Sequence, residues 1–153
     1  MNEDLRRARE ILEQSGYTCV LCRQDQVKTC TARGVRPLVE LLDAGQWSGY
    51  SAADKVIGKA TAFLYALLGV RAVYTPVISE SAVRILHRYR IELVCGQIVP
   101  AILNRDQTGF CPMETAVRDI EDPQEALRAI RATMKKLHDA NNPSELTMPK
   151  KQS

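Results

Sequence analysis

The sequence predicts an α/β protein: a mixed sheet between helical layers. Three observations carry this. A β-hairpin signal stands near the start, in "YTCVLCR" and "QVKTCTA". Two later apolar β-rich segments, "RAVYTPVIS" and "IELVCGQIVP", each follow a helical pattern. Helix-period segments open and close the chain. Strands that alternate with helices after a hairpin imply antiparallel and parallel pairing in one sheet.

The elements follow in order. Leu5, Ala8, Ile11 and Leu12 recur at helical spacing, so residues 3–14 form a helix that ends before Gly16. In the hairpin, a two-residue turn at Gln24 and Asp25 sets Cys19 opposite Cys30. Residues 35–44 make a short helix closed by Gly45, and "QWSGYS" is a loop. Ser51 is an expected N-cap for a long helix from Ala52 to Leu68, stopped by Gly69. The strand at 71–79 contains Pro76, which limits its far end. Ser79 or Glu80 opens a helix to about Tyr89, and "IELVCGQIVP" begins as a second buried strand. A short strand and turn follow over 101–109. Cys111 leads a short helix, and Asp122-Pro123 restarts helix to about His138. Residues 1–138 thus form one domain, and 139–153 are a tail expected to be flexible.

Composition narrows the function classes. A chain of 153 residues with 25% charged and 45% hydrophobic residues can bury its own core. The net charge of +3 is mild, and no basic stripe alternates with aromatics, so nucleic acid is not an indicated partner. No apolar run reaches the roughly 20 residues of a membrane helix, and the charged N-terminus has no signal-peptide core. The expected location is the cytoplasm, and the five cysteines read as reduced thiols. Cys19 and Cys22 form a C-x-x-C, but three residues apart on a strand they point to opposite faces, which suits neither redox nor zinc chemistry.

Two stretches carry candidate chemistry. In "GFCPMETAV", Pro112 suits the first helical position, which makes Cys111 the N-cap and puts Glu114 where a capping box places a carboxylate. Sulfur is a poor cap, so the position gives up some stability. Free N–H groups at a helix start favour an anion, and a thiolate is one. In "SAADKVIGKATAFLYALLG", the expected helix carries Asp54, Lys55 and Lys59 beside small residues at Gly58, Ala62 and Ala66. That face is too small-residued to be solvated, so it is expected to be covered, by the last helices or by a second subunit. The same residues suggest a polar pocket floor for phosphate, ribose or carboxylate groups.

These two stretches, "YSAADKVIGKATAFLYALLGVRAVYTPVIS" and "GFCPMETAV", resemble the small bacterial and archaeal proteins called domain of unknown function 1893. The resemblance covers residues 3–137, and is most specific in A-D-K-x-x-G-K-A (Ala53 to Ala60) and C-P-M-E. It implies a cytidine deaminase-like three-layer α/β/α sandwich with a mixed sheet. Zinc deaminases use H-x-E at one helix start and P-C-x-x-C at another. Here the corresponding stretches are Ser51 to Asp54, without histidine or cysteine, and Cys111 to Glu114, with glutamate at the second cysteine's spacing. His87 and His138 lie elsewhere. No metal and no other cofactor is therefore expected.

What the resemblance implies for function is a zinc-free enzyme for a nucleotide, nucleobase or ribosyl ligand. Cys111 would be nucleophile or thiolate, Asp54 a base or hydroxyl-orienting group, and Lys55 or Lys59 a phosphate anchor. Ser51, Gly58 and Glu114 would complete the ligand site. The alternative is a non-catalytic ligand-binding or oligomerising module, with a homodimer expected. Lys59 is read here as a pocket residue whose truncation spares the fold.

Overall fold

A computed structural model describes residues 1–14, 16–103, 109 and 111–141. The elements are α1 (Glu3–Gln14), β1 (Cys19–Arg23), β2 (Gln26–Cys30), α2 (Arg36–Ala44), β3 (Ser51–Asp54), β4 (Val56–Ile57), α3 (Lys59–Leu68), β5 (Ala72–Ser79), α4 (Glu80–Arg88), β6 (Glu92–Val99), α5 (Pro112–Ala116) and α6 (Pro123–Asn141). The α/β class and the mixed sheet are as expected. β1 runs antiparallel to β2 and β3, while β3, β4 and β6 run parallel to β5. β3 and β4 lie one after the other along the same side of β5, and β6 takes the other side.

Helices cover both faces. α1 packs on β1, β3 and β5, burying Leu5, Ala8 and Leu12 against Val20, Cys22, Ala53, Ala72 and Tyr74. The opposite face carries Leu21, Ala52, Val73 and Ile78 into the larger core beneath α2, α3, α4 and α6. Cys19 belongs to that larger core and Cys22 to the α1 side, the split their spacing requires. The hairpin register pairs Cys19 with Cys30, and Gln24 takes a φ of 53° in a turn without glycine. An Asp4 carboxylate oxygen accepts from the Gln24 N–H at 3.0 Å and steadies it.

One expectation fails at a decisive place. Residues 52–58 are not helix. Ser51–Asp54 is a central strand, Val56–Ile57 continues it, and helix starts only at Lys59 after the Gly58 cap. Alanine favours helix by intrinsic propensity, but Ala52 and Ala53 are fully buried on opposite faces of the sheet. Their small side chains let helices approach both faces of the central strand. Strand pairing on both edges and burial on both faces outweigh propensity here. Two lesser differences follow from position. β5 runs through Pro76 to Ser79, and its pairing with β6 skips the Pro76–Gly96 level. A Cβ on Gly96 would lie 2.6 Å from the Pro76 carbonyl oxygen, so glycine permits that close approach. β6 is an edge strand and only partly buried, so Cys95 packs at the margin of the core.

The remaining boundaries agree closely. Gly69 closes α3 with a φ of 79°, and the Ser79 hydroxyl accepts from the Ala82 N–H to cap α4. α6 runs to Asn141, three residues past the expected domain end at 138. Of the expected strand and turn at 101–109, Leu103 forms a bridge, and residues 104–108 and the tail beyond 141 lie outside the described residues.

Candidate functional site

A cavity of about 600 Å³ opens where the end of β3, the start of α3, the start of β1, the 31–35 segment after β2 and the Cys111–Glu114 stretch converge. That size suits a ligand as large as a mononucleoside. Asp54, Lys55, Gly58, Cys111 and Glu114 all line it, so most of the predicted residues do meet.

Asp54 ends β3, and its carboxylate accepts from the Tyr65 hydroxyl at 2.6 Å and from the Val56 N–H at 3.4 Å. Burial pushes this carboxyl up to about 6, against the lowering effect of Tyr65 and the backbone N–H groups. Burial and then the Asp54 charge hold the Tyr65 phenol well above its usual value. Tyr65 reaches Asp54 because α3 folds back beneath the sheet; it is completely buried. The Cys19 thiol is within hydrogen-bond reach of both Tyr65 and Cys30. Its bond to Cys30, then burial, then the Asp54 charge raise it far above the ordinary thiol range. The same bond, helped by the Lys28 charge, lowers Cys30. Asp54 and Cys19 line the cavity, and Tyr65 and Cys30 behind them complete a connected set, Asp54–Tyr65–Cys19–Cys30. At the mouth, Lys55 and Arg33 are exposed cations, and neither forms an ion pair among the described residues.

Four predicted residues have other work. Ser51 is no helix cap. It starts β3 at the far end of the strand, fully buried, and its hydroxyl donates to Asn2 Oδ1 at 3.2 Å. Lys59 does not line the cavity. Its Nζ donates to the Arg118 carbonyl at 2.9 Å and to Glu121 at 2.8 Å, with the side chain only 4% exposed. Lys55 and Lys59 therefore share no helix side, because Lys55 sits in the break before α3. Glu114 lines the cavity but is committed: its two oxygens accept from the Lys59 N–H at 2.8 Å and the Ala60 N–H at 3.0 Å. It caps α3 rather than its own helix, and the Cys111 N–H donates instead to the Ile102 carbonyl. Gly58 follows from that cap, since a Cβ there would fall 2.5 Å from a Glu114 carboxylate oxygen. The small face of α3 is covered from within the chain, where α6 packs on α3 and Ala62 is fully buried.

The anion position at the start of α3 is filled by the protein's own carboxylate. Cys111 is the N-cap of α5 without a side-chain cap bond, as expected, but α5 spans only five residues. Its thiol is half-buried against the core beside the cavity.

Zinc does not fit. Glu114 is spent on two backbone donors, Asp54 on Tyr65, and neither histidine lines the cavity. Among the described residues no group of three or more His, Cys, Asp or Glu side chains is arranged to hold a metal ion. Among them too, no helix is long and apolar enough to cross a membrane.

Sequence reasoning missed Tyr65, Cys19, Cys30 and Arg33. The Cys19–Cys30 register was readable from the hairpin, whereas Tyr65 depended on where α3 begins.

Comparison with known proteins agrees with this architecture. No curated protein matches the chain. The crystal structure of a DUF1893 family protein, TM1506, from Thermotoga maritima superposes with a TM-score of 0.77 at 25% identity, covering 89% of this chain and 92% of that one. The profile of the domain of unknown function DUF1893 matches residues 7–134. With five-sixths of its length inside that match, the chain belongs to the DUF1893 family.

Proposed function

We propose that the cavity binds a small polar ligand of nucleotide, nucleobase or ribosyl type and that Asp54 moves a proton on it, without zinc. The observation that carries this reading is the desolvated Asp54 carboxyl at the cavity floor, raised to about 6. A carboxylate near neutral pKa is a competent general base, whereas an ordinary one is too weak. Tyr65 fixes its orientation. Lys55 and Arg33 at the mouth supply charge for a phosphate or carboxylate, and Cys111 offers a thiol at the side. The order of one antiparallel strand followed by parallel β-α units supports a deaminase-like reading of the fold, with the zinc ligands replaced by the Glu114 cap. Lys59 and Ser51 drop out of the ligand site.

The second reading, a non-catalytic or oligomerising module, is favoured by one feature. Val56 on β4 and Ile98 on β6 remain about half exposed at the same end of the sheet, which suits a homodimer contact. In either reading the location is the cytoplasm.

Calorimetric titration with nucleosides, nucleoside monophosphates and ribose phosphates tests the proposal. Binding that weakens tenfold or more in Asp54→Asn and Lys55→Ala, together with conversion of the ligand in the native chain only, is expected. Binding unaffected by Asp54→Asn overturns the site. Binding without conversion selects the second reading.

A further inference from the structure

A pair of thiols that the proposed ligand chemistry does not use stands beside the cavity, which Cys19 lines. Cys19 and Cys30 are directly opposite on β1 and β2, and each thiol is the largest influence on the other's acidity. Directly opposed residues of an antiparallel pair have Cα atoms about 4.5–5.5 Å apart. A disulfide accepts about 4.4–6.8 Å, so the backbone need not move far to be bridged. Neither of the other strand cysteines has a cysteine opposite it: Cys22 faces Val27 and Ser51, and Cys95 faces Thr75. The two thiols also differ in access. Cys19 is 3% exposed, whereas Cys30 is partly open to solvent.

We propose that Cys19 and Cys30 are a redox-active dithiol that closes reversibly to a disulfide by exchange with a low-molecular-weight disulfide. The inference does not depend on which ligand the cavity binds. Cys30 is the entry point, because it is the accessible thiol and the one whose anion receives a hydrogen bond from Cys19. Ionised by loss of its proton to solvent, it attacks one sulfur of the disulfide R–S–S–R. The S–S bond breaks, Cys30–S–S–R forms, and RS⁻ leaves as RSH on taking up a proton.

With the Cys30 charge gone, the Cys19 S–H turns to the Tyr65 oxygen. Tyr65 already donates its own proton to Asp54. The Cys19 proton is thus relayed through the hydroxyl to the Asp54 carboxylate as the Cys19 sulfur attacks Cys30. The second RS⁻ leaves and is protonated by Asp54 or water. Two thiols and R–S–S–R become one protein disulfide and two RSH. The lowered Cys30 and the raised Asp54 carboxyl agree with these roles of nucleophile and proton acceptor.

The test uses the full chain and oxidised glutathione, with quenching by alkylation and peptide mapping by mass spectrometry. The native protein is expected to yield a Cys19–Cys30 disulfide that dithiothreitol reverses. Cys19→Ala should stall with glutathione on Cys30, and Cys30→Ala should form neither product. Tyr65→Phe should leave the first exchange unchanged, and Asp54→Asn, which leaves the core filled, should not slow it. Each should slow closure by roughly a hundredfold, the scale of general acid–base assistance. Glutathione that lands on Cys111 or Cys95 while Cys19 and Cys30 stay free overturns the dithiol site. A mixed disulfide on Cys30 that persists in the native chain overturns it too. Closure at native rate in both Tyr65→Phe and Asp54→Asn overturns the relay.

Discussion

Two carboxylates flank α3 and titrate in opposite directions. On the cavity side, Asp54 is desolvated, meets one hydroxyl and no cation, and rises to about 6. On the far side, Glu121 accepts from Lys59, Arg84 and Arg88 and falls to about 2, the Lys59 bond contributing most. One side of the helix gives its carboxylate a hydroxyl and a long backbone bond; the other surrounds its own with three cations. Glu121 clamps α3 and α4 to the segment between α5 and α6. The ion pairs are concentrated on one side of α3, and the proposed proton transfer lies on the other. A carboxylate that is to serve as the proposed base cannot be neutralised by three cations.

The largest expected effect lies on the clamped side. Lys59→Ala removes a buried ammonium with two bonds and leaves the Arg118 carbonyl without that donor. It should destabilise by about 3 kcal/mol in denaturant melts, while ligand affinity in the remaining folded fraction is kept. A near-neutral melt would show that the clamp contributes little and that the contrast is false.

Next comes Asp54→Asn, which should stabilise. The sign follows from linkage. A carboxyl raised from 3.8 to about 6 binds its proton more tightly in the fold than in the unfolded chain. It therefore costs nothing below pH 3.8, and stability declines as pH rises to about 6. The full cost at neutral pH is on the order of 3 kcal/mol, of which asparagine should recover about 2. Glu121 runs the other way. Its contribution is present above 4.5 and is lost as pH falls toward 2. Melts across pH 3–8 should show the native chain losing the Asp54 share between pH 4 and 6 and Asp54→Asn flat there. Identical profiles would put the Asp54 carboxyl at an ordinary value and remove the basis for its catalytic role.

The Glu114 cap joins the two sides. Gly58→Ala should displace its carboxylate and cost about 1–2 kcal/mol, the worth of a charged cap. The double change with Glu114→Ala should cost little more than either alone, since both remove the same bonds. Additive losses would mean that Gly58 is needed for something else.

The smallest stability effect is expected for Cys111→Ser. Serine is the better cap, and the half-buried thiol contributes modest packing, so the melt should move by no more than about 1 kcal/mol. If the thiol takes part in the reaction, turnover is lost at unchanged stability. A drop well beyond 1 kcal/mol with turnover kept would make Cys111 a packing residue only.

The sequence by itself determined the fold class, the hairpin register that sets Cys19 opposite Cys30, the caps at Gly69 and Ser79, and the convergence of the Asp54 and Cys111 stretches, which came through the family resemblance. Those are local signals: turn chemistry, capping residues and short motifs act within a few positions. Only the tertiary structure decided that Ser51–Asp54 is a strand, because its alanines are placed by burial on both faces and pairing on both edges, which propensity does not report. From that one boundary the rest followed. Moving the start of α3 from Ala52 to Lys59 turned Lys59 away from the cavity toward Glu121, brought Tyr65 onto Asp54, and gave the helix start to Glu114, a residue 55 positions further along the chain.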